Sequence, residues 1–178
     1  MTITFWIRLL LAASIMASLG ACNGRRPGLQ IGDMAPVVTL TDFHGNPVTL
    51  PKDIRGKVVL VRFWAMDCSH CNKETVLALE TLYQKYKDKG FLPVAIHESR
   101  PVEADERFRK FDHVTYPMLV DEYGKVARQF GVIGLPTTLV LDEKGIVREK
   151  ITGEASIDTF EKLLTTVLYK GGFYDGTH

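Results

Sequence analysis

The chain of 178 residues has no surplus of charge, with 22 lysine and arginine residues against 21 aspartate and glutamate residues. Residues 1–21 carry Arg8 alone, so the remainder balances at 21 basic against 21 acidic groups. A neutral body gives no electrostatic basis for nucleic-acid binding, and no nucleic acid is expected as a partner. Cysteine is scarce. Cys22, Cys68 and Cys71 fall one short of a four-cysteine zinc site, and Cys22 lies in a different kind of segment from the other two. Zinc would have to recruit His70 and then an aspartate or a distant histidine, so neither metal nor cofactor is expected. There is no internal repeat and no low-complexity run, and the length suits one domain with room for a core. The apolar run after Arg8, LLLAASIMASLGA, is too short for a comfortable membrane span.

That run ends in small residues and resembles a secretory signal. Its end, Leu19-Gly20-Ala21-Cys22, looks like a bacterial lipobox. The expectation is a signal peptide at 1–21, cleaved to leave Cys22 first with lipid on its sulfur. The competing reading is an uncleaved anchor that draws in Thr2 to Ile7 and keeps Arg8 inside the span. Residues 22–34, rich in Gly, Arg, Asn and Pro, read as a tether, 35–170 as the folded domain, and GGFYDGTH at 171–178 as a tail. Lipidation of Cys22 leaves Cys68 and Cys71 as one pair. Export places that pair in the periplasm or another extracytoplasmic space, where disulfides persist.

Cys68-Ser69-His70-Cys71 is the most informative stretch. It follows an apolar strand, KVVLVRFWA, and opens a segment of helical period that runs from His70 to Lys87. Two sulfurs so spaced at a helix start can close a ring by exchange with another disulfide. Free N–H groups at the helix start favour a thiolate, most of all at Cys68. The strand-then-helix context argues for redox use over half of a zinc site. VVTLTDFHGNPVTLP reads as a hairpin, FLPVAIH and YPMLVD as strands, and Val102 to Phe111 and EYGKVARQFG as short helices. Thr137 to Leu141 and IVREKIT form a second hairpin, and Ser156 caps a helix from Ile157 to Tyr169. Alternating strands and helices predict an α/β fold with a mixed sheet covered on both faces.

With CxxC on the strand-to-helix turn and Gly134-Leu135-Pro136-Thr137-Thr138 before the next strand, the chain resembles the thioredoxin superfamily. More narrowly it resembles the TlpA/ResA-type thiol–disulfide oxidoreductases, with an N-terminal β-hairpin and a central insertion added to a plain thioredoxin-like fold. The matching stretches are GDMAPVVTLTDFHGNPVTL, KVVLVRFWA, CSHCNKE, YPMLVDEYGKVARQFGV and GLPTTLVLDEKGIV. The resemblance implies Cys68 as exposed nucleophile, Cys71 as resolving thiol and Pro136 as the cis-proline beside the disulfide. It also implies that the Leu135 backbone pairs with an extended substrate segment. Trp64 supplies an aromatic near the site and is read as substrate-binding, although the commoner job of such a residue is core packing. Glu74 matches a family glutamate that takes the Cys71 proton, although helical spacing sets it opposite the buried stripe through Leu79.

Three departures bear on redox tuning. Asp67 stands where the family has an aromatic residue, and a carboxylate there raises a thiol pKa. The dipeptide is Ser69-His70 where many relatives carry proline, and the His70 ring can donate to a Cys68 thiolate or face solvent. Arg62 replaces the buried aspartate of thioredoxin itself. Elsewhere, His97 ends a strand, where α/β sites often lie, and reads first as structural. His44 and His113 read as solvated turn residues.

The function expected is an enzyme, a monomer that exchanges disulfides with exported proteins in the reducing direction, apocytochrome c among the family's substrates. It needs a membrane electron-donor protein of the thiol-reducing type and is held at the membrane by lipid on Cys22. Asn23 is not the aspartate that marks inner-membrane retention in some bacteria. The alternatives are an oxidase or isomerase, which His70 favours, and a Cu(I) carrier using Cys68, Cys71 and His70 or His97. A peroxidase would want threonine where Ala65 stands.

Overall fold

The structure, a computed structural model, describes residues 28–99 and 105–170. The expected signal peptide, the lipid on Cys22 and the tail at 171–178 lie outside the described residues. Strands β1 (Val38–Asp42) and β2 (Pro47–Leu50) form the N-terminal hairpin. Asp42 shapes its turn by accepting from the amides of His44 and Asn46 at 2.9 and 2.8 Å, a local bond that short acidic side chains favour. Next come β3 (Val58–Trp64), α1 (Lys73–Tyr86), β4 (Phe91–His97), β5 (Met118–Val120), α2 (Lys125–Gln129), β6 (Thr137–Leu141), β7 (Val147–Thr152) and α3 (Ile157–Lys170). The sheet has the order β2-β1-β5-β4-β3-β6-β7. β3, β4 and β5 run parallel, and the other neighbours pair antiparallel. This is the mixed α/β sheet the sequence predicts.

β3 lies inside the sheet, between β4 and β6, and is buried along its whole length, which is why it reads as an almost unbroken apolar run. Val58, Leu60 and Trp64 enter one core layer with Leu79 of α1 and Phe160 and Leu164 of α3. Val59, Val61 and Phe63 enter the other with Ala35, Phe130 and Leu139. Alternation places Arg62 on the Leu60 and Trp64 side, a charge in the middle of the core strand.

Several boundaries differ from expectation. α1 opens at Lys73 rather than His70, because Asn72 is its cap and accepts from the Glu74 amide at 3.0 Å. The CxxC therefore lies in a turn ahead of the helix, closed by the Cys71 N–H on the Cys68 carbonyl at 3.3 Å. The described part of the helix expected at Val102 to Phe111 holds a 3-10 segment, Glu106–Phe111, where Asp105 accepts from the Arg107 amide at 3.0 Å. α2 is short because Gly124 sits left-handed at its start, with φ of 60°.

Residues 28–34, expected as tether, are joined to the body. Gly32 and Ala35 donate to the carbonyls of Val147 and Gly145 at 2.8 and 2.9 Å. Lys150 Nζ bridges the carbonyls of Leu29 and Gly131, each at 2.9 Å. A β-carbon on Gly131 would meet Gly28 Cα at 2.6 Å, so the two backbones touch as only glycines allow. No helix among the described residues is long and apolar enough to cross a membrane.

Candidate active site

The buried strand β3 ends at Trp64, and the loop beyond it carries Met66, Asp67 and Cys68 before α1 begins. Cys68 and Cys71 are joined as a disulfide with Cα atoms 5.4 Å apart. Their surroundings differ. Cys68 is half-buried, while Cys71 is 4% exposed and packs in the core layer beneath α1 and α3. An incoming sulfur can therefore reach Cys68 and not Cys71.

Cys68 Sγ lies 3.7 Å from the carbonyl oxygen of Leu135. In the disulfide that sulfur has no proton, so this is a contact; reduction turns it into a weak S–H donor facing an acceptor. The Leu135–Pro136 bond is cis. Thr137 Oγ1 holds the preceding loop through the Gly134 carbonyl at 2.7 Å, and the Pro136 carbonyl accepts from Gly153 at 2.8 Å. β3 and β6 are antiparallel neighbours, with Phe63 opposite Thr137. That pairing brings the loop before β6 beside the loop after β3.

Trp64, expected near the substrate surface, is fully buried. Its ring centroid lies 4.8 Å from His97 and 5.1 Å from Phe111, in the aromatic layer behind the loop. A side chain so enclosed cannot touch a substrate, and this expectation is corrected. His97 is buried beside it. Its Nε2 accepts from the Met66 amide at 2.9 Å, and Nδ1 lies 2.6 Å from the Ser99 carbonyl, which only a ring N–H can satisfy. The ring is thus a neutral tautomer set by its neighbours. Burial pushes its pKa down, against the pull of the Ser99 carbonyl and Asp67.

Asp67 is exposed and pairs with Arg107 Nη1 at 2.6 Å. Asp105 holds the same guanidinium from Nε and Nη2, and these bonds, Asp105's first, push Arg107 above its ordinary pKa. The charge expected to oppose a Cys68 thiolate therefore comes with a cation from the 3-10 segment Glu106–Phe111. Sequence reasoning missed Arg107, which lies forty positions along the chain. Lys73 also reaches the turn, donating to the Cys68 carbonyl at 2.6 Å. Ser69 and His70 are exposed and make no hydrogen bond with any described residue. Glu74 is exposed, 3.3 Å from Lys110 Nζ, and no hydrogen bond joins it to either cysteine.

The largest feature missed is what Arg62 holds. Its guanidinium is fully buried, with Nη2 2.6 Å from Glu154 Oε2, Nη1 3.1 Å from Thr138 Oγ1, and Cζ 5.7 Å from the Phe160 ring centroid. Burial pushes its pKa down, and Glu154 opposes that shift. Glu154 also accepts from the Asn72 amide at 2.9 Å and from Thr75 Oγ1 at 3.0 Å. A signal was present, because a charge in a buried strand needs a partner. The sequence did not say which carboxylate it was.

A profile of the AhpC/TSA family matches residues 31–150. The chain is 34% identical over 139 residues to thiol-disulfide oxidoreductase ResA of Bacillus thuringiensis subsp. konkukian, spanning 78% of this chain and 79% of that protein. It is 33% identical to the thioredoxin-like protein YneN of Bacillus subtilis over 77% of this chain and 80% of the other. In three dimensions it is similar to a thiol:disulfide interchange protein from Bacteroides sp., with a TM-score of 0.65, 30% identity, and coverage of 84% of this chain and 96% of that one.

Proposed function

Since the chain belongs to the AhpC/TSA family and is a thiol–disulfide oxidoreductase of the ResA type, we propose that it acts outside the cytosol as a reductant of protein disulfides. The observation that carries the reading is the asymmetry of the pair, with Cys68 open beside Leu135 and Pro136 and Cys71 enclosed.

In the reduced enzyme the Cys68 thiolate attacks one sulfur of a substrate disulfide. A mixed disulfide forms, and the substrate's other sulfur leaves as a thiolate and takes a proton from solvent. Cys71 then loses its proton, attacks Cys68 Sγ, and expels the second substrate sulfur. The substrate gains two electrons and the enzyme closes its ring. Leu135 offers its backbone to an extended substrate segment, in the manner of an added strand. A membrane protein of the thiol-reducing type returns the electrons. Cysteines of apocytochrome c are the substrate class proposed, and lipid on Cys22 holds the monomer at the membrane.

The reading is supported by the names of the ResA relatives and by the leader expected at 1–21. A copper carrier could not use His97, because both of its ring nitrogens are engaged with backbone groups, which leaves Cys68, Cys71 and His70 as the donors of that alternative. Insulin reduction by the dithiol form, coupled to a thiol donor, tests the activity. Turnover lost in Cys68→Ser is expected. No turnover by the native pair, with stoichiometric Cu(I) uptake instead, would reject it.

A further inference from the structure

Two carboxylates lie near the turn that carries Cys71, and the fold treats them differently. Glu74 faces Lys110 at the surface. Glu154 is fixed against the turn itself by three donors: the Asn72 amide, Thr75 Oγ1 and Arg62 Nη2. Asn72 directly follows Cys71, and its amide is one of the donors that helix α1 leaves unpaired at its start. Such donors carry the positive end of the helix and stabilise a thiolate placed before it. Here a side-chain anion already holds one of them.

We propose that Glu154 is a positioning residue that sets the redox couple. As a resident anion at the start of α1 it withholds that stabilisation from the cysteine thiolates, and its own charge opposes theirs. It makes no hydrogen bond to either sulfur and acts through the Asn72 amide and its field. Arg62 anchors it from beneath, since a buried guanidinium needs a fixed counter-charge. The sign follows directly. A less stable thiolate raises the thiol pKa, disfavours the reduced protein, and lowers the reduction potential, which makes the dithiol a stronger electron donor. The inference rests on the reading of Cys68–Cys71 as the redox centre and adds what tunes it.

Glu154→Gln keeps an oxygen for the Asn72 amide and removes the charge. In the full chain, thiolate absorbance should show the Cys68 pKa lowered by about one unit, a tenfold rise in its ionisation constant. At pH above the native pKa of that thiol, equilibrium with glutathione should move about tenfold toward the reduced protein, roughly 30 mV for a two-electron couple, and the shift should vanish at pH well below both pKa values. Glu154→Asp, which keeps the charge, should titrate close to the native protein. If Glu154→Gln does not fold, the double variant Arg62→Met/Glu154→Gln removes both charges and should shift the pKa in the same direction by less. A folded Glu154→Gln, or that double variant, with a lower melting temperature but an unchanged thiol titration would overturn the proposal and leave Glu154 a counter-ion for Arg62. Loss of insulin reduction by the native protein would instead reject the functional reading, so the two failures are distinguishable.

Discussion

The imidazole of His97 accepts the amide hydrogen of Met66 at 2.9 Å, tying the end of β4 to the loop that leads into Cys68. The bond requires an unprotonated Nε2. Because burial lowers the folded pKa of His97 below its ordinary value near 6.5, the unfolded chain binds the proton more readily. The stabilisation is complete above the ordinary value and is lost as pH falls from there toward the folded pKa. Asp67 and Asp105 pull that pKa upward and Arg107 pushes it down. Thermal melts should show stability falling on mild acidification, and His97→Gln should flatten that slope. His97→Ala, which leaves the buried Met66 amide unpaired, should cost about 1–3 kcal/mol. A native melting curve indifferent to pH below ~6.5 would reject the assignment of the ring as neutral.

Unequal access to the two sulfurs fixes the outcome of single replacements. Cys71→Ser should accumulate a mixed disulfide with substrate, visible on non-reducing gels. Cys68→Ser should trap nothing, because Cys71 is enclosed. Equal trapping by both variants would show that the two cysteines are not divided between attack and resolution.

Arg107 changes what Asp67 is expected to do. Asp67→Asn should lower the Cys68 pKa, but by less than an unpaired carboxylate would, since the guanidinium at 2.6 Å offsets part of that charge. Arg107→Ala should raise the Cys68 pKa by uncovering Asp67. Both groups are exposed, so each shift should be a few tenths of a unit and should shrink with added salt. Thiolate titration at two ionic strengths decides it, and shifts of the same sign from both variants would contradict the pairing.

The lipidation proposed for Cys22 makes a prediction about mass. Protein extracted from membranes should begin at Cys22 and carry the mass of the acyl groups, and Cys22→Ala should yield an unprocessed or unlipidated species. A retained Met1, or a bare Cys22, in the mass spectrum would exclude it.

The sheet was legible because its signals are local. Alternation, turn residues and the spacing of Val76, Leu79 and Leu82 each lie within a few positions of one another, and these three are buried as that spacing predicts. The start of α1 was placed too early, at His70, because the cap is Asn72 and a capping bond leaves little trace in apolar periodicity. The redox pair was legible because its spacing carries the chemistry, and the proline because its stretch, Gly134 to Thr138, resembles that of the family. Their electrostatic setting was not. Asp67 meets Arg107 across 40 positions and Arg62 meets Glu154 across 92, and no short-range pattern joins such partners. Trp64 was misread because an aromatic residue at the end of a strand looks the same in sequence whether it backs a site or lines it.

Glu154 lies two positions before Ser156, whose Oγ accepts from the Thr159 amide at 3.2 Å to cap α3, and Phe160 of that helix lies against the Arg62 guanidinium. The C-terminal helix is thus wired to the start of α1. The CxxC loop is not a portable cassette. Moved to another scaffold without Arg62, Glu154 and the first turn of α3, it would keep its four residues and lose its setting. A truncation or fusion that loosens α3 should be felt first as altered thiol chemistry, before the sheet itself gives way.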